Sequence, residues 1–152
     1  MSYEVYRKRS GTLSLSTIKP KMDDKGFPEK DGAILVQMVP HDGEGNRKWS
    51  ERLSFALSPD EIFALGHSYK KGLIGADKPL SFLHDQGKRA DSSTETPAQD
   101  IKTLRVQKDK EGTGFWINLQ RGEEKLGIHL SDMDLANIID LMMHVRPSLV
   151  SL

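Results

Sequence analysis

"LSFALSPDEIFAL", residues Leu53 to Leu65, decides the fold, because the chain writes nearly the same phrase again from Leu126 as "LGIHLSDMDLANI". Laid over each other without a gap, at an offset of 73 residues from Leu53 to Leu126, the two copies match Phe55 with Ile128, Leu57 with Leu130, Ser58 with Ser131 and Ile62 with Leu135. Each copy opens with apolar residues at every second position, the period of a half-buried strand, and then changes to apolar residues three and four apart, the period of a helix. The change falls on a serine both times. Ser58 is followed by Pro59 at the first helical position and Glu61 at the third, so its hydroxyl can accept from an orphan amide while the glutamate reaches back. Ser131 and Asp134 repeat that box. One such phrase is an ordinary strand with a capped helix; two ungapped copies are a repeat.

Working outward, each phrase ends a run of strands. The first half predicts strands at about Tyr3 to Arg9, Thr12 to Ile18, Ala33 to Val39 and Leu53 to Leu57, then a helix from Pro59 to about Lys71. The second predicts Leu80 to His84, Ile101 to Lys108, Phe115 to Gln120 and Lys125 to Leu130, then a helix from Asp132 to about Val145, with Pro147 as a stop. "DDKGFPEKDG", "PHDGEGNRK" and "QKDKEGTGFW" carry turn chemistry. The last resembles a calcium loop only loosely, since its oxygens miss the required alternate positions. The stretch from Gln86 to Asp100 is polar throughout and predicts a mobile loop. The expected fold class is α+β: one domain of two ββββα repeats, about 3–72 and 80–146, forming two antiparallel sheets packed with two helices.

With 152 residues the chain has the length for one real core. No apolar run approaches the roughly 20 residues of a membrane span, and "MSYEVYRKRSG" lacks the hydrophobic stretch of a signal peptide. The absence of cysteine excludes disulfides, thiolate catalysis and cysteine zinc sites. The expectation is a soluble cytoplasmic protein, as in a bacterium, a phage or an untargeted form. Net charge is zero, with 22 basic and 22 acidic side chains. The start departs from that balance: Arg7, Lys8, Arg9, Lys19 and Lys21 face a single acid, Glu4.

The last helix carries Leu135, Ile138, Ile139, Met142 and Val145 on one side, and Leu141 and Met143 widen the stripe beyond what one sheet covers. Either a neighbouring subunit or the first helix must bury the rest. The five histidines show no metal-ligand spacing and predict solvent-facing or hydrogen-bonded roles. No phosphate loop, nucleophile elbow or rigid acid pair nominates an active site, so neither catalysis nor a cofactor or metal is expected. What remains is a binding surface. Alternation in "GFWINLQ" puts Trp116, Asn118 and Gln120 opposite the core-facing Phe115, Ile117 and Leu119, and "NRKWSER" sets Trp49 between Lys48 and Arg52. Indoles beside amides and cations suit single-stranded nucleic acid, which needs flat platforms for bases and positive charge along its backbone.

These stretches resemble the Whirly family of single-stranded DNA-binding proteins over about Tyr6 to Leu149. The resemblance is carried by "AILVQMVPHDGEGNRKWSERLSFALSPDEIFALG", with Gln37, Pro40, Trp49 and Ser50, by "SFLHD" at Ser81 to Asp85, by "GFWINL" and by "HVRPSLV". It implies two four-strand-and-helix repeats, four subunits packed with helices inside and sheets outward like blades, and a DNA strand lying along sheet edges with little sequence demand. The family's initial lysine-glycine-lysine signature reads "KRSGTLSL" here: Lys8, Leu13 and Ser14 match, but the second lysine is Ser10. That lysine is associated with assembly beyond the tetramer, which is therefore not expected unless Arg9 substitutes. The segment at Gln86 to Asp100 also departs from the family's shorter, more basic one. The expected contacts are Lys8, Arg9 and Ser14 on the first hairpin, Gln37, Lys48, Trp49 and Arg52 in the first repeat, and Lys88, Arg105, Trp116 and Asn118 in the second, in a homotetramer serving repair, recombination, replication or transcription. Rival readings are an RNA-binding or annealing protein of the same fold and a protein-interaction scaffold anchored by the tryptophans.

Overall fold

The computed structural model describes residues 2–85 and 101–150. Its first half runs β1 (Ser2–Arg7), β2 (Gly11–Ile18), a short hairpin of β3 (Lys21–Met22) and β4 (Pro28–Lys30), β5 (Ala33–Pro40), β6 (Leu53–Leu57) and helix α1 (Pro59–Lys70). The second runs β7 (Leu80–Asp85), β8 (Ile101–Lys108), β9 (Gly114–Arg121), β10 (Glu124–Ser131) and helix α2 (Asp132–Val145). Each half folds as an antiparallel meander, β1-β2-β5-β6 and β7-β8-β9-β10, followed by its helix. This is the α+β architecture of two ββββα units that the repeat predicts. Among the described residues no helix is long and apolar enough to cross a membrane.

Two details differ from the sequence reading. The first strand stops at Arg7 rather than Arg9, because the Ser10 amide donates to the Arg7 carbonyl at 3.0 Å and turns the chain over Lys8 and Arg9. "DDKGFPEKDG", expected as a turn, contributes strand to a small hairpin: the Asp23 carboxylate accepts from the amides of Lys25 and Phe27, and Gly26 takes φ +81° where a side chain would be strained. The expected mobile loop at 86–100, with Lys88, lies outside the described residues.

Both sheets turn one face inward onto a single core. Leu13, Leu15, Val36, Phe55 and Leu57 come from the first sheet, Leu104, Val106, Ile117, Leu119, Ile128 and Leu130 from the second, and Ile62, Leu65, Leu135, Ile138, Ile139 and Met142 from the helices. Alternation produces this directly: in β6 the buried Leu53, Phe55 and Leu57 alternate with half-buried Ser54 and Ala56. Within the chain α1 packs against α2, while Leu141 and Met143 stay half-buried. Gly66 allows the close approach, since a Cβ there would sit 3.0 Å from the Met143 sulfur. Phe63, Leu73 and Met133 stay exposed on the helix side.

The helix starts are the capping boxes read from the sequence. Ser58 Oγ accepts from the Glu61 amide at 3.2 Å while Glu61 Oε1 accepts from the Ser58 amide at 3.0 Å; Ser131 and Asp134 do the same at 3.0 and 3.3 Å. Each box acid takes a second partner from the other repeat. Arg7 on β1 donates to Asp134 at 2.8 Å, and His84 on β7 lies 3.0 Å from both oxygens of Glu61. The two braces are equivalent. Glu61 and Asp134 differ by the repeat offset, and Arg7 and His84 sit at matching places on the leading strands, three residues past Glu4 and Ser81 in corresponding cross-strand rows.

Replacing Ser58 or Ser131 by alanine removes one acceptor from a helix N-terminus and is expected to lower stability by about 1 kcal/mol each, read from urea unfolding midpoints. Partial burial pushes the Asp134 carboxyl up, but hydrogen bonds from the Ser131 side chain and backbone and from Arg7 outweigh it and hold the group below its ordinary 3.8. A depressed folded-state value contributes stability that is full above pH 3.8 and is lost as pH falls through that lower value. Arg7→Met is therefore expected to flatten the loss of stability on acidification, measured as urea midpoints from pH 6 downward.

Candidate nucleic-acid interface

The outward faces follow from strand register. In the first sheet one row crosses Glu4, Ser14, Gln37 and Ser54; in the second the corresponding row crosses Ser81, Arg105, Asn118 and Gly127. Both rows lay an amide over a small residue. The Gln37 Nε2 donates to Ser54 Oγ at 3.1 Å, and Asn118 lies so close over Gly127 that an added Cβ would meet its carbonyl oxygen at 2.3 Å. Arg105 Nε donates to Ser81 Oγ at 3.3 Å, and a concavity of about 240 Å³ runs beside it, lined by Thr103, Arg105, Asn118, Gln120 and Lys125.

A cleft opens where β6, the edge of the first sheet, faces the adjoining ends of β8 and β9. Ser50, Arg52 and Ser54 form one wall and Lys102, Thr103, Gln120 and Arg121 the other, around about 270 Å³. It widens to a mouth of about 610 Å³ bordered by Lys48, Arg52, Arg121 and Lys125, with Glu51 and Glu124 as its acids. Lys48 pairs with Glu51 at 3.4 Å. Lys102 and Arg121 sit directly opposite each other in register. Partial burial first, and then the neighbouring Arg121 charge, lower the Lys102 ammonium below its ordinary 10.5. Two cations held side by side in a walled cleft favour an anion between them.

The tryptophans stand apart from the core. Trp49 opens a short 3₁₀ turn over Trp49–Glu51 and is 47% exposed; Arg52 Nη1 donates to its carbonyl at 2.9 Å. Trp116 lies on the outer face of β9 and is 44% exposed. Its cross-strand neighbours are Gln107 and His129. The loop leading toward Trp49 is held from within: Asp42 accepts from the amides of Asn46 and Glu44, which lowers its pKa. Tyr6 donates to the Gly45 carbonyl, and Arg47 reaches Glu4 and Thr12.

A family model described as Whirly transcription factor matches residues 5–144. The chain belongs to the Whirly family. It is 26% identical over 121 residues to the mitochondrial single-stranded DNA-binding protein WHY2 of Arabidopsis thaliana, covering 77% of this chain and 46% of that protein. With the chloroplastic single-stranded DNA-binding protein WHY1 of Solanum tuberosum it is 24% identical over 161 residues, covering 99% and 54%. The chain thus spans about half the length of these curated relatives. Among solved structures, the plant transcriptional regulator PBF-2 superposes with a TM-score of 0.80 at 22% identity over 98% of this chain and 89% of that one. WHY1 from Arabidopsis thaliana gives 0.78 at 25% identity over 99% and 85%.

On this Whirly fold the expected contact residues divide into groups. Lys48 and Arg52 stand on the cleft wall, with Trp49 between them in sequence. Ser14 and Gln37 share one outward row, and Arg105 and Asn118 share its counterpart. Lys8 and Arg9 are on neither: they occupy the β1–β2 turn, whose Ser10 and Gly11 adjoin Leu126 to Ile128 of β10. Lys88 lies outside the described residues. Sequence reasoning passed over Lys102, Arg121 and Lys125, and a signal for the first two was present. Lys102 has the parity of Leu104 and Val106, and Arg121 that of Ile117 and Leu119, so each puts a cation on the core face at a strand end.

NMR of the lysine ammonium groups is expected to show Lys102 losing its proton below 10.5, with Arg121→Gln moving the midpoint part of the way back. An oligonucleotide phosphate in the Whirly cleft would raise it, because a nearby anion favours the charged form.

Proposed function

We propose that this protein binds single-stranded DNA with little sequence specificity, as an assembly of four copies, and that it protects or presents exposed strands in repair, recombination, replication or transcription. The observation that carries the reading is the cleft between the two sheets, where Arg52, Lys102 and Arg121 converge beside hydroxyls and amides. Such a lining holds a phosphate backbone and leaves the bases unread. Lys48 and Lys125 extend positive charge around its mouth, Arg105 adds a cation on the outward row and Lys8 and Arg9 on the β1–β2 turn, Trp49 and Trp116 offer platforms, and Ser14, Gln37 and Asn118 offer hydrogen bonds to exposed base edges. The names of the relatives point the same way: two are called single-stranded DNA-binding proteins. The tetramer is supported by the apolar side chains left open beside the helices, Phe63, Leu73 and Met133.

The test is fluorescence anisotropy with matched single-stranded DNA, duplex DNA and RNA oligonucleotides at several salt concentrations, with light scattering for mass. Single-stranded DNA should bind in preference to the duplex, and the particle should weigh about four times 17.1 kDa. Affinity should fall linearly in log–log form with salt. Replacing Arg52, Lys102 and Arg121 together by glutamine should make that slope shallower by about 2, roughly 0.7 per lost phosphate contact. A salt-independent affinity would favour the interaction-scaffold reading, and tighter RNA binding the RNA-binding one.

A further inference from the structure

Trp116 has a support of its own. At the far side of the β8–β9 turn Asp109 is buried, 6% exposed, although it is charged. Its carboxylate accepts from His129 Nε2 at 2.8 Å, from the Thr113 amide at 2.9 Å and from the Thr113 hydroxyl at 3.3 Å. These bonds, that of His129 foremost, hold the carboxyl down at about 2 against the effect of desolvation. An ionised carboxylate only accepts, so the hydrogen in this bond is on His129 Nε2. The imidazole is also fixed from below. Gly114 has no side chain, and a Cβ there would lie 2.8 and 2.9 Å from His129 Cε1 and Nε2, so the ring rests on bare backbone.

His129 in turn meets Trp116 directly across the β9–β10 pair, with ring centroids 5.1 Å apart and planes inclined at 68°. A parallel stack would cover an indole face; this inclined contact restrains the indole without laying ring on ring. We propose that His129 and Asp109 are positioning residues for a nucleobase-stacking platform. The buried carboxylate holds the imidazole by Nε2, and the imidazole holds the Trp116 indole in the orientation that receives an unpaired base. The inference rests on the single-stranded DNA reading and adds to it a brace of three side chains running from a buried carboxylate in the β8–β9 turn to the surface of β9. The chain Asp109–His129–Trp116 is contiguous, and its outer end is the exposed aromatic.

The experiment uses a Trp49→Phe parent, in which Trp116 is the sole tryptophan of the two in the chain, and compares His129→Ala, Trp116→Ala and both together. Near-ultraviolet circular dichroism reports the restraint on the indole, anisotropy with a single-stranded oligonucleotide reports binding, and urea unfolding reports integrity. His129→Ala is expected to unfold cooperatively, to lose most of the Trp116 near-ultraviolet band, and to weaken binding roughly 3- to 10-fold, within the coupling of side chains in contact. Trp116→Ala should cost about 5- to 150-fold, the worth of one stacked base, and should make the His129 change silent in the double variant. Because loss of Asp109 endangers the turn, His129→Phe serves as the second arm: it keeps an aromatic edge and should restore part of the near-ultraviolet band. A parent that binds while His129→Ala binds equally well, or additive losses in the double variant, overturns the positioning role alone. The unsubstituted protein is titrated alongside: if it ignores the oligonucleotide, the single-stranded DNA reading falls and the stacking role with it.

Discussion

Two helices must cover the apolar faces of two four-stranded sheets, and they can do so only where both faces remain apolar. Along β8 and β9 the inward positions are Leu104, Val106, Ile117 and Leu119 until the strands reach Lys102 and Arg121, opposite each other in register. A buried pair of like charges is among the most expensive things a core could hold. The sheets therefore part at that end, and a cleft opens beside β6 while its Leu53, Phe55 and Leu57 remain in the core. The binding surface proposed above is thus a consequence of how far the core can extend.

The capping boxes do more than start helices. Glu61 and Asp134 each satisfy an orphan amide of their own N-cap and also take a donor from the leading strand of the other repeat. Each helix start is thereby tied to the opposite sheet, beside the core that both repeats share. The duplication has diverged within this pattern: one brace uses the guanidinium of Arg7, the other the imidazole of His84, which also stacks on Phe55 with ring centroids 4.0 Å apart. The outward rows have diverged further. Where the first sheet shows Glu4, Ser14 and Gln37, the second shows Ser81, Arg105 and Asn118, so a chain with no net charge carries unequal faces.

Much of the geometry of the candidate site was legible because strand alternation fixes which side chains share a face. Trp116 and Asn118 stand outward as their spacing from Ile117 demands, and Arg105 joins them from the next strand. Lys102 has core-facing parity and Arg121 lies one residue past the predicted strand, which runs on through it; only the position of a strand's end tells whether a core-facing cation is buried or opens a cleft. Asp109 read as one more turn residue. Its worth lies in His129, twenty positions on, which no local pattern connects to it.

The sequence by itself determined the repeat, the element types, the two capping boxes and the inward face of each strand, since these depend on residues within a few positions of one another. The tertiary structure alone decided that α1 packs on α2, that Arg7 reaches Asp134 and His84 reaches Glu61, where the sheets separate, and that an aspartate in a turn meets the histidine beside an exposed indole. Those contacts join residues 20 to 127 positions apart, and their geometry exists only once two twisted sheets have closed on a common core.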